Sequence, residues 1–309
     1  MVMLRARRPR RLLLPDGSLR RLLTLAVQGN HPFPQSLHCG RYLLDMQRPK
    51  IMGIVNLTDD SFSGDGWRGH ADVAIAHGLR LVAEGAHILD LGAESSRPGA
   101  QPVSAQQEVD RLLPVVEGLT ACGVPLSIDT VKLDVMRAAL VAGADMINDI
   151  HALRTPGALE LLATSDAGIC LMHMQGTPQN MQQHPHYNQV VHDVVDFLSA
   201  RVAAAQHAGI ALNRLCIDPG FGFGKTLEHN LQLLRHLEAL TKLDLPVLVG
   251  LSRKSVLGAL TGRAPSERVA AGIAAHILAI VRGARILRVH DVAATRDAIA
   301  VFEAVEKTQ

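Results

Sequence analysis

The chain has 309 residues, 48% of them hydrophobic and 19% charged, with 26 glycines and only 9 aromatic residues. Such a composition excludes a disordered or fibrous protein. No run approaches the 18 or so apolar residues of a membrane span, since the best, 270–281, is broken by His276. Cys39, Cys122, Cys170 and Cys216 form no C-x-x-C pair, which argues against a zinc site and a disulfide framework and fits a reducing, cytoplasmic setting. The net charge of +2 hides an asymmetry: seven arginines against one aspartate give residues 1–21 a charge of +6, leaving the rest at −4. That stretch reads as an organelle-targeting segment, a nucleic-acid arm or an inert extension. Its apolar runs, 12–14 and 22–27, are too short for a secretory core, so the expectation is an inert extension and no nucleic-acid or membrane partner.

In chain order, residues 1–40 form this basic, poorly ordered extension and 41–46 a small leading strand. From residue 50, short apolar runs alternate with longer amphipathic stretches. The runs predict strands at 51–56, 87–93, 125–130, 145–150, 169–174, 214–219, 246–252 and 286–292. The stretches between predict helices at 70–84, 104–120, 132–142, 157–165, 188–208, 228–239, 266–282 and 293–305. Gly-Ala pairs at 85–86, 143–144 and 283–284 stand just before strands and read as αβ turns. An eightfold βα repeat predicts an α/β protein, a closed (β/α)8 TIM barrel in one domain, residues 41–309. An open doubly wound sheet is the alternative.

In such a barrel the chemistry gathers at the C-terminal ends of the strands, and all eight predicted ends carry polar residues. They are Asn56; Glu94, Ser95, Ser96 and Arg97; Asp129; Asn148; His173; Asp218; Ser252, Arg253 and Lys254; and Arg288 with His290. Asp129, Asp218 and Asn148 offer acceptors with one amide, which suits a flat heterocycle with several N–H donors, such as a 2-amino-4-oxopyrimidine edge. The plainer reading makes them helix caps or partners of a lysine inside the barrel. Arg97, Arg253, Lys254, Arg288 and His290 imply a phosphorylated or otherwise anionic substrate if they share one mouth, and solvated surface cations if they do not.

The segment 218–226, DPGFGFGKT, is not a phosphate loop, because Pro219 stands where that motif needs glycine. Its glycines fit a backbone lying close to a flat ligand, with Phe221 or Phe223 against a face of it. His173, His184 and His186 match no metal spacing. Residues 57–69 and 94–104, rich in Gly, Pro, Ser and Asp, read as lids, with Trp67 as an anchor of the first.

The strings MGIVNLTDDSF (52–62), ESSRPGA (94–100), SIDT (127–130), INDI (147–150), CLMHMQG (170–176), DPGFGFGK (218–225), LVGLSRKS (248–255) and RVHDV (288–292) together resemble the dihydropteroate synthase family, in its order. The resemblance implies a transferase of folate biosynthesis that joins 6-hydroxymethyl-7,8-dihydropterin diphosphate to 4-aminobenzoate, releasing pyrophosphate, with Mg²⁺ as cofactor. It also implies a cytoplasmic homodimer and a sulfonamide target. By matching position, Asp129, Asn148, Asp218 and Lys254 would hold the pterin with Phe223 nearby. Asn56, Arg97, Arg288 and His290 would bind diphosphate, Asn56 also serving the metal. Phe62, Ser95, Ser96, Pro98, Arg253, Lys254 and Ser255 would form the aminobenzoate end, and Asp129, Asp218, Lys254 and Asn56 the catalytic set.

The chain departs from the family pattern at Asp59, where proline is usual, in SGDG (63–66), and at Ala93, Ser96 and Val131. Asp59 loses a φ restraint and adds negative charge near an anionic substrate, so weaker aminobenzoate binding or altered sulfonamide sensitivity is expected. A pterin-binding paralogue without the chemistry and a methyltetrahydrofolate–corrinoid methyltransferase are the alternative readings. The cations of SRKS and RVHDV argue against the second.

Overall fold

A computed structural model describes residues 35–57, 67–95 and 99–306, the side chains of 67–70 excepted. It opens with an antiparallel hairpin, β1 (Ser36–Cys39) and β2 (Tyr42–Asp45). The repeat follows as β3 (Lys50–Asn56), α1 (Trp67–Glu84), β4 (Ile88–Gly92), α2 (Ala105–Leu119), β5 (Leu126–Asp129) and α3 (Leu133–Val141). It continues as β6 (Met146–Asp149), α4 (Ala158–Ala163), β7 (Gly168–Met172), α5 (Val190–His207), β8 (Leu215–Asp218) and α6 (Leu227–Arg235). Last come β9 (Val247–Val249), α7 (Ser255–Thr261), α8 (Val269–Val281), β10 (Ala284–Val289) and α9 (Val292–Glu306). Strands β3 to β10 are parallel and form a closed barrel, β10 pairing with both β9 and β3. The expected TIM barrel is found, and that closure excludes the open sheet.

Each strand is buried on both faces, which is why its sequence reads as a continuous apolar run. Outward residues such as Val55, Leu89, Leu91, Ile128, Ile147, Leu171, Ile217, Val249 and Leu287 join one core with the helices. Helix starts and stops follow local chemistry. Ser104 and Gln107 form a capping box on α2, as do Thr226 and His229 on α6. Gly85, Gly143 and Gly283 take φ of 110°, 105° and 99°, the left-handed geometry that an αβ turn requires.

Two expectations need correction. A boundary at residue 40 cuts through the hairpin, because Ser36–Cys39 is a strand with Leu37 and Cys39 fully buried. These residues pack with Met46, Met52, Ile88, Met146, Cys170, Cys216, Leu248 and Ile286, so the hairpin forms the floor of the barrel. The approach is close: a Cβ on Gly168 would lie 2.7 Å from Cys39 Sγ and 2.9 Å from the His38 carbonyl. Arg41 locks the hairpin from outside, its Nε and Nη2 each 2.9 Å from the buried Asp145 carboxylate. The second correction is α7, a helix inside the loop after β9 that is too short to show a 3.6-residue period.

Candidate active site

The pleat sets the site. Inward positions recur every second residue, so the strands that put Ile88, Met146, Cys216 and Ile286 in the floor put Asp90, Asn148, Asp218 and Arg288 one step nearer the mouth. Gly92 and Gly250 leave room beside Asp129 and beside Arg288 and Lys254.

Arg288 organises this layer. Its Nε lies 2.5 Å from Asp90 Oδ2 and its Nη2 2.8 Å from Asp129 Oδ2. The Asn148 amide also donates to Asp90, at 3.2 Å. Burial pushes the Asp129 carboxyl up to about 7, against the pull of Arg288. Burial also raises Asp218, opposed by Lys254 and by the Gly220 N–H, which donates to Asp218 Oδ1 at 2.6 Å. Lys254 is pulled down to about 8 by burial, with Asp218 restoring part of the shift. Its ammonium donates to the Phe221 carbonyl and lies 4.6 Å from the Phe223 ring centroid. Phe221 is fully buried while Phe223 is partly exposed at the mouth, so Phe223 is the ring available to a ligand.

Around this acid-lined pocket lies a cationic margin. Asn56, Arg253 and His290 share a cleft of about 840 Å³ with His77, Arg80 and Asp291. His290 is steadied by Ser252, whose Oγ is 3.1 Å from its Nδ1. The Arg253 guanidinium is closed on Asp291, 2.6 Å and 3.2 Å away, and Arg253 takes φ +59°, left-handed for a side-chain-bearing residue. Ser255 is the exposed first residue of α7, and Ser95 is half-buried after β4. Glu94 points into a structural clamp: Lys132 Nζ lies 2.5 Å from Glu94 and 2.6 Å from the buried Glu108. Phe62, Ser96, Arg97 and Pro98 lie outside the described residues, as does Asp59.

Sequence reasoning brought Asp129, Asn148, Asp218, Lys254, Arg288 and Phe223 to one mouth, and the structure places them there. It missed Asp90, which stands two residues inside the strand where a polar residue reads as buried core. It also missed Lys225 and Asp291, which act on neighbouring groups. The inward alternation Ile88, Asp90, Gly92 was the available signal for Asp90. No group of three or more His, Cys, Asp or Glu side chains placed to hold a metal ion occurs among the described residues.

Residues 52–290 match the family described as pterin binding enzyme. A dihydropteroate synthase from Neisseria meningitidis serogroup C is 50% identical over 271 residues, covering 86% of this chain and 96% of the relative. Among solved structures, a Xanthomonas albilineans dihydropteroate synthase with 4-aminobenzoic acid has a TM-score of 0.84 at 52% identity, covering 89% of this chain and 99% of that one. A structure of the synthase from that organism in complex with 7,8-dihydropteroate has a TM-score of 0.80 at 48% identity, covering 89% of this chain and 100% of that one.

Proposed function

The chain belongs to the pterin-binding enzymes and, within them, to the dihydropteroate synthases, and from that premise we infer how its own residues carry the reaction. It condenses 6-hydroxymethyl-7,8-dihydropterin diphosphate with 4-aminobenzoate to give 7,8-dihydropteroate and pyrophosphate. Relatives of this identity set aside the corrinoid methyltransferase alternative. The observation that carries the site assignment is the ring of Asp129, Asn148, Asp218 and Lys254 at one barrel mouth, with the Phe223 ring beside Lys254.

The Asp129 and Asp218 carboxylates and the Asn148 amide accept and donate along the pterin edge, and Phe223 covers a face of the ring. Arg288 is held by Asp90 through Nε and by Asp129 through Nη2. Its third nitrogen, Nη1, is assigned to the diphosphate together with Asn56 and His290. The Asn56 amide makes no side-chain hydrogen bond to another described residue, so its oxygen suits a hard cation that keeps most of its shell from phosphate and water. Mg²⁺ held there would offset charge on the leaving diphosphate.

In the reaction the bond from the pterin methylene carbon to the diphosphate oxygen breaks, its electron pair leaving with pyrophosphate. The aminobenzoate nitrogen then bonds to that carbon and sheds a proton to water. The two carboxylates stabilise the positive charge that spreads into the pterin, so catalysis is electrostatic and positional. A neutral aniline needs no strong base. Arg253, Lys254 and Ser255 are assigned to the aminobenzoate end, where a sulfonamide would compete. The working form is assigned as a cytoplasmic homodimer.

The direct test is pyrophosphate release by the purified protein with dihydropterin diphosphate, Mg²⁺ and 4-aminobenzoate. Release that depends on aminobenzoate and is lost in Asp218→Ala and Lys254→Ala supports the assignment. Pterin binding without turnover would make the chain a binding paralogue.

A further inference from the structure

The loop after β8, residues 219–225, presents five consecutive backbone carbonyls to side-chain donors. Lys225 Nζ donates to Gly220 at 2.9 Å and to Phe223 at 3.0 Å. Lys254 donates to Phe221, Gln182 to Gly222 at 2.5 Å, and the Tyr187 hydroxyl to Gly224 at 2.8 Å. Lys225 is 3% exposed and has no carboxylate within ion-pair distance among the described residues. Its third short contact is His173 Nδ1 at 2.9 Å, with the His173 carbonyl at 3.4 Å.

Burial pulls the Lys225 pKa well below its usual value, with Asp218 opposing the shift; the ammonium form has three N–H donors, and these contacts satisfy all of them. His173 is able to accept because burial, helped by Lys225, lowers its pKa to about 3 and keeps the ring neutral. The carbonyls converge because the two loops are in backbone contact. A Cβ on Gly220 would collide with the His173 carbonyl, and one on Gly224 would lie 2.5 Å from that of Gln175. Converging carbonyl oxygens repel one another unless a cation lies between them.

We propose that Lys225 is a positioning residue for the pterin pocket: its ammonium is the internal cation that holds the carbonyls of Gly220 and Phe223 together against the His173 imidazole. Holding the Gly220 carbonyl anchors the Gly220–Phe221 peptide, which sits between the Pro219–Gly220 peptide, whose N–H donates to the Asp218 carboxylate, and the Phe221–Gly222 peptide, whose carbonyl accepts from Lys254. Holding the Phe223 carbonyl fixes the ring below Lys254. The inference rests on the reading of Asp218 and Lys254 as pterin ligands.

Lys225→Ala, made in the full chain, vacates a cage that a primary ammonium can enter and a quaternary one cannot satisfy. The KM for dihydropterin diphosphate is expected to rise roughly tenfold, the equivalent of about 1.4 kcal/mol, with the aminobenzoate KM within about twofold. Ethylammonium should recover most of that loss and raise the melting temperature of the variant, whereas tetramethylammonium at equal ionic strength should do neither. An unchanged pterin KM, or equal effects of the two cations, would overturn the proposal. Lys225→Gln is the second variant, which keeps a donor without charge: its pterin KM should rise several-fold with no ethylammonium response, and an unchanged KM overturns the idea. If neither variant folds, the ammonium belongs to the fold rather than to the pocket and the proposal fails. Asp218→Ala run in parallel separates the two readings. If its pterin KM is unchanged, the pterin site is misplaced; if it rises while the Lys225 variants stay normal, only the role of Lys225 is wrong.

Discussion

Two residues along a single strand separate Cys216 from Asp218, Ile88 from Asp90, Met146 from Asn148 and Ile286 from Arg288. The first of each pair lies in a floor closed by the hairpin, packed from Met, Cys, Leu and Ile; the second lies in a mouth of carboxylates, amide and guanidinium. The same strands thus contribute one layer that stabilises the fold and one that opposes it, since burial raises Asp129 and Asp218 and lowers Lys254. What separates them is access to a ligand: the floor is filled by the chain itself, whereas the mouth reserves its acceptors for a partner. Substitutions in the two layers should therefore fail in different ways.

The largest effect is expected at the mouth. In the proposed site Asp218→Ala removes an acceptor for the pterin, and kcat/KM for dihydropterin diphosphate should fall roughly 100- to 1000-fold. The melting temperature should hold or rise, because a buried carboxylate with a raised pKa costs the fold stability above that pKa. Steady-state kinetics beside a thermal melt reads both, and a melt that collapses with the rate would dissolve the division between layers. The floor gives the converse. Leu37 is fully buried against the barrel interior, and Leu37→Ala should lower the unfolding free energy by about 3 kcal/mol while leaving kcat and both KM values unchanged below the melt. A pterin KM that moves with Leu37 would show the two layers to be mechanically coupled.

Much of this division is legible in the sequence. Parallel strands buried on both faces write themselves as apolar runs, and their polar ends stand out, which is how Asp129, Asn148, Asp218, Lys254 and Arg288 are found. The floor is harder to read, because its plug is a four-residue strand, SLHC, with no periodicity of its own. Asp90 is concealed for a related reason: it is a mouth residue lodged where the apolar run has not yet ended. Arg253 and Arg288 read as free cations, and only three dimensions reveal that Asp291 and the pair Asp90 and Asp129 hold them. Charge pairing between strands far apart in sequence leaves no local pattern.

A smaller effect sharpens the contrast through acid. His276 on α8 is buried near the mouth, its Nε2 accepting the Leu251 N–H at 3.3 Å, and burial together with Lys254 lowers its pKa to about 4. The unfolded chain takes up this proton near 6.5 and the folded one does not, so stability is full above about 6.5 and is lost as pH falls towards 4. Between pH 6.5 and 5 the loss should be about 2 kcal/mol. Denaturant unfolding across that range should show a shallower slope in His276→Gln, which keeps an acceptor for Leu251 without a titrating ring. An equal slope would assign the acid sensitivity elsewhere.

The smallest effect concerns the rate near neutrality. Free-enzyme pKa values govern kcat/KM, and the mouth holds two groups on either side of the working range, Asp129 at about 7 and Lys254 at about 8. In the proposed site Asp129 accepts the pterin N–H groups as the carboxylate, so kcat/KM for dihydropterin diphosphate should climb by up to tenfold per pH unit below about 7. Lys254 must keep its proton to donate, so the same constant should fall above about 8, leaving a narrow optimum between. The two limbs have separate owners, which makes them separable. Asp129→Asn accepts through its amide oxygen without titrating, and should flatten the acid limb at a lower plateau while the alkaline limb stays in place. Were the acid limb to survive in that variant, it would belong to Asp218, whose carboxyl is also raised by burial, and Asp129 would be left as the partner of Arg288 rather than the acceptor whose ionisation limits binding.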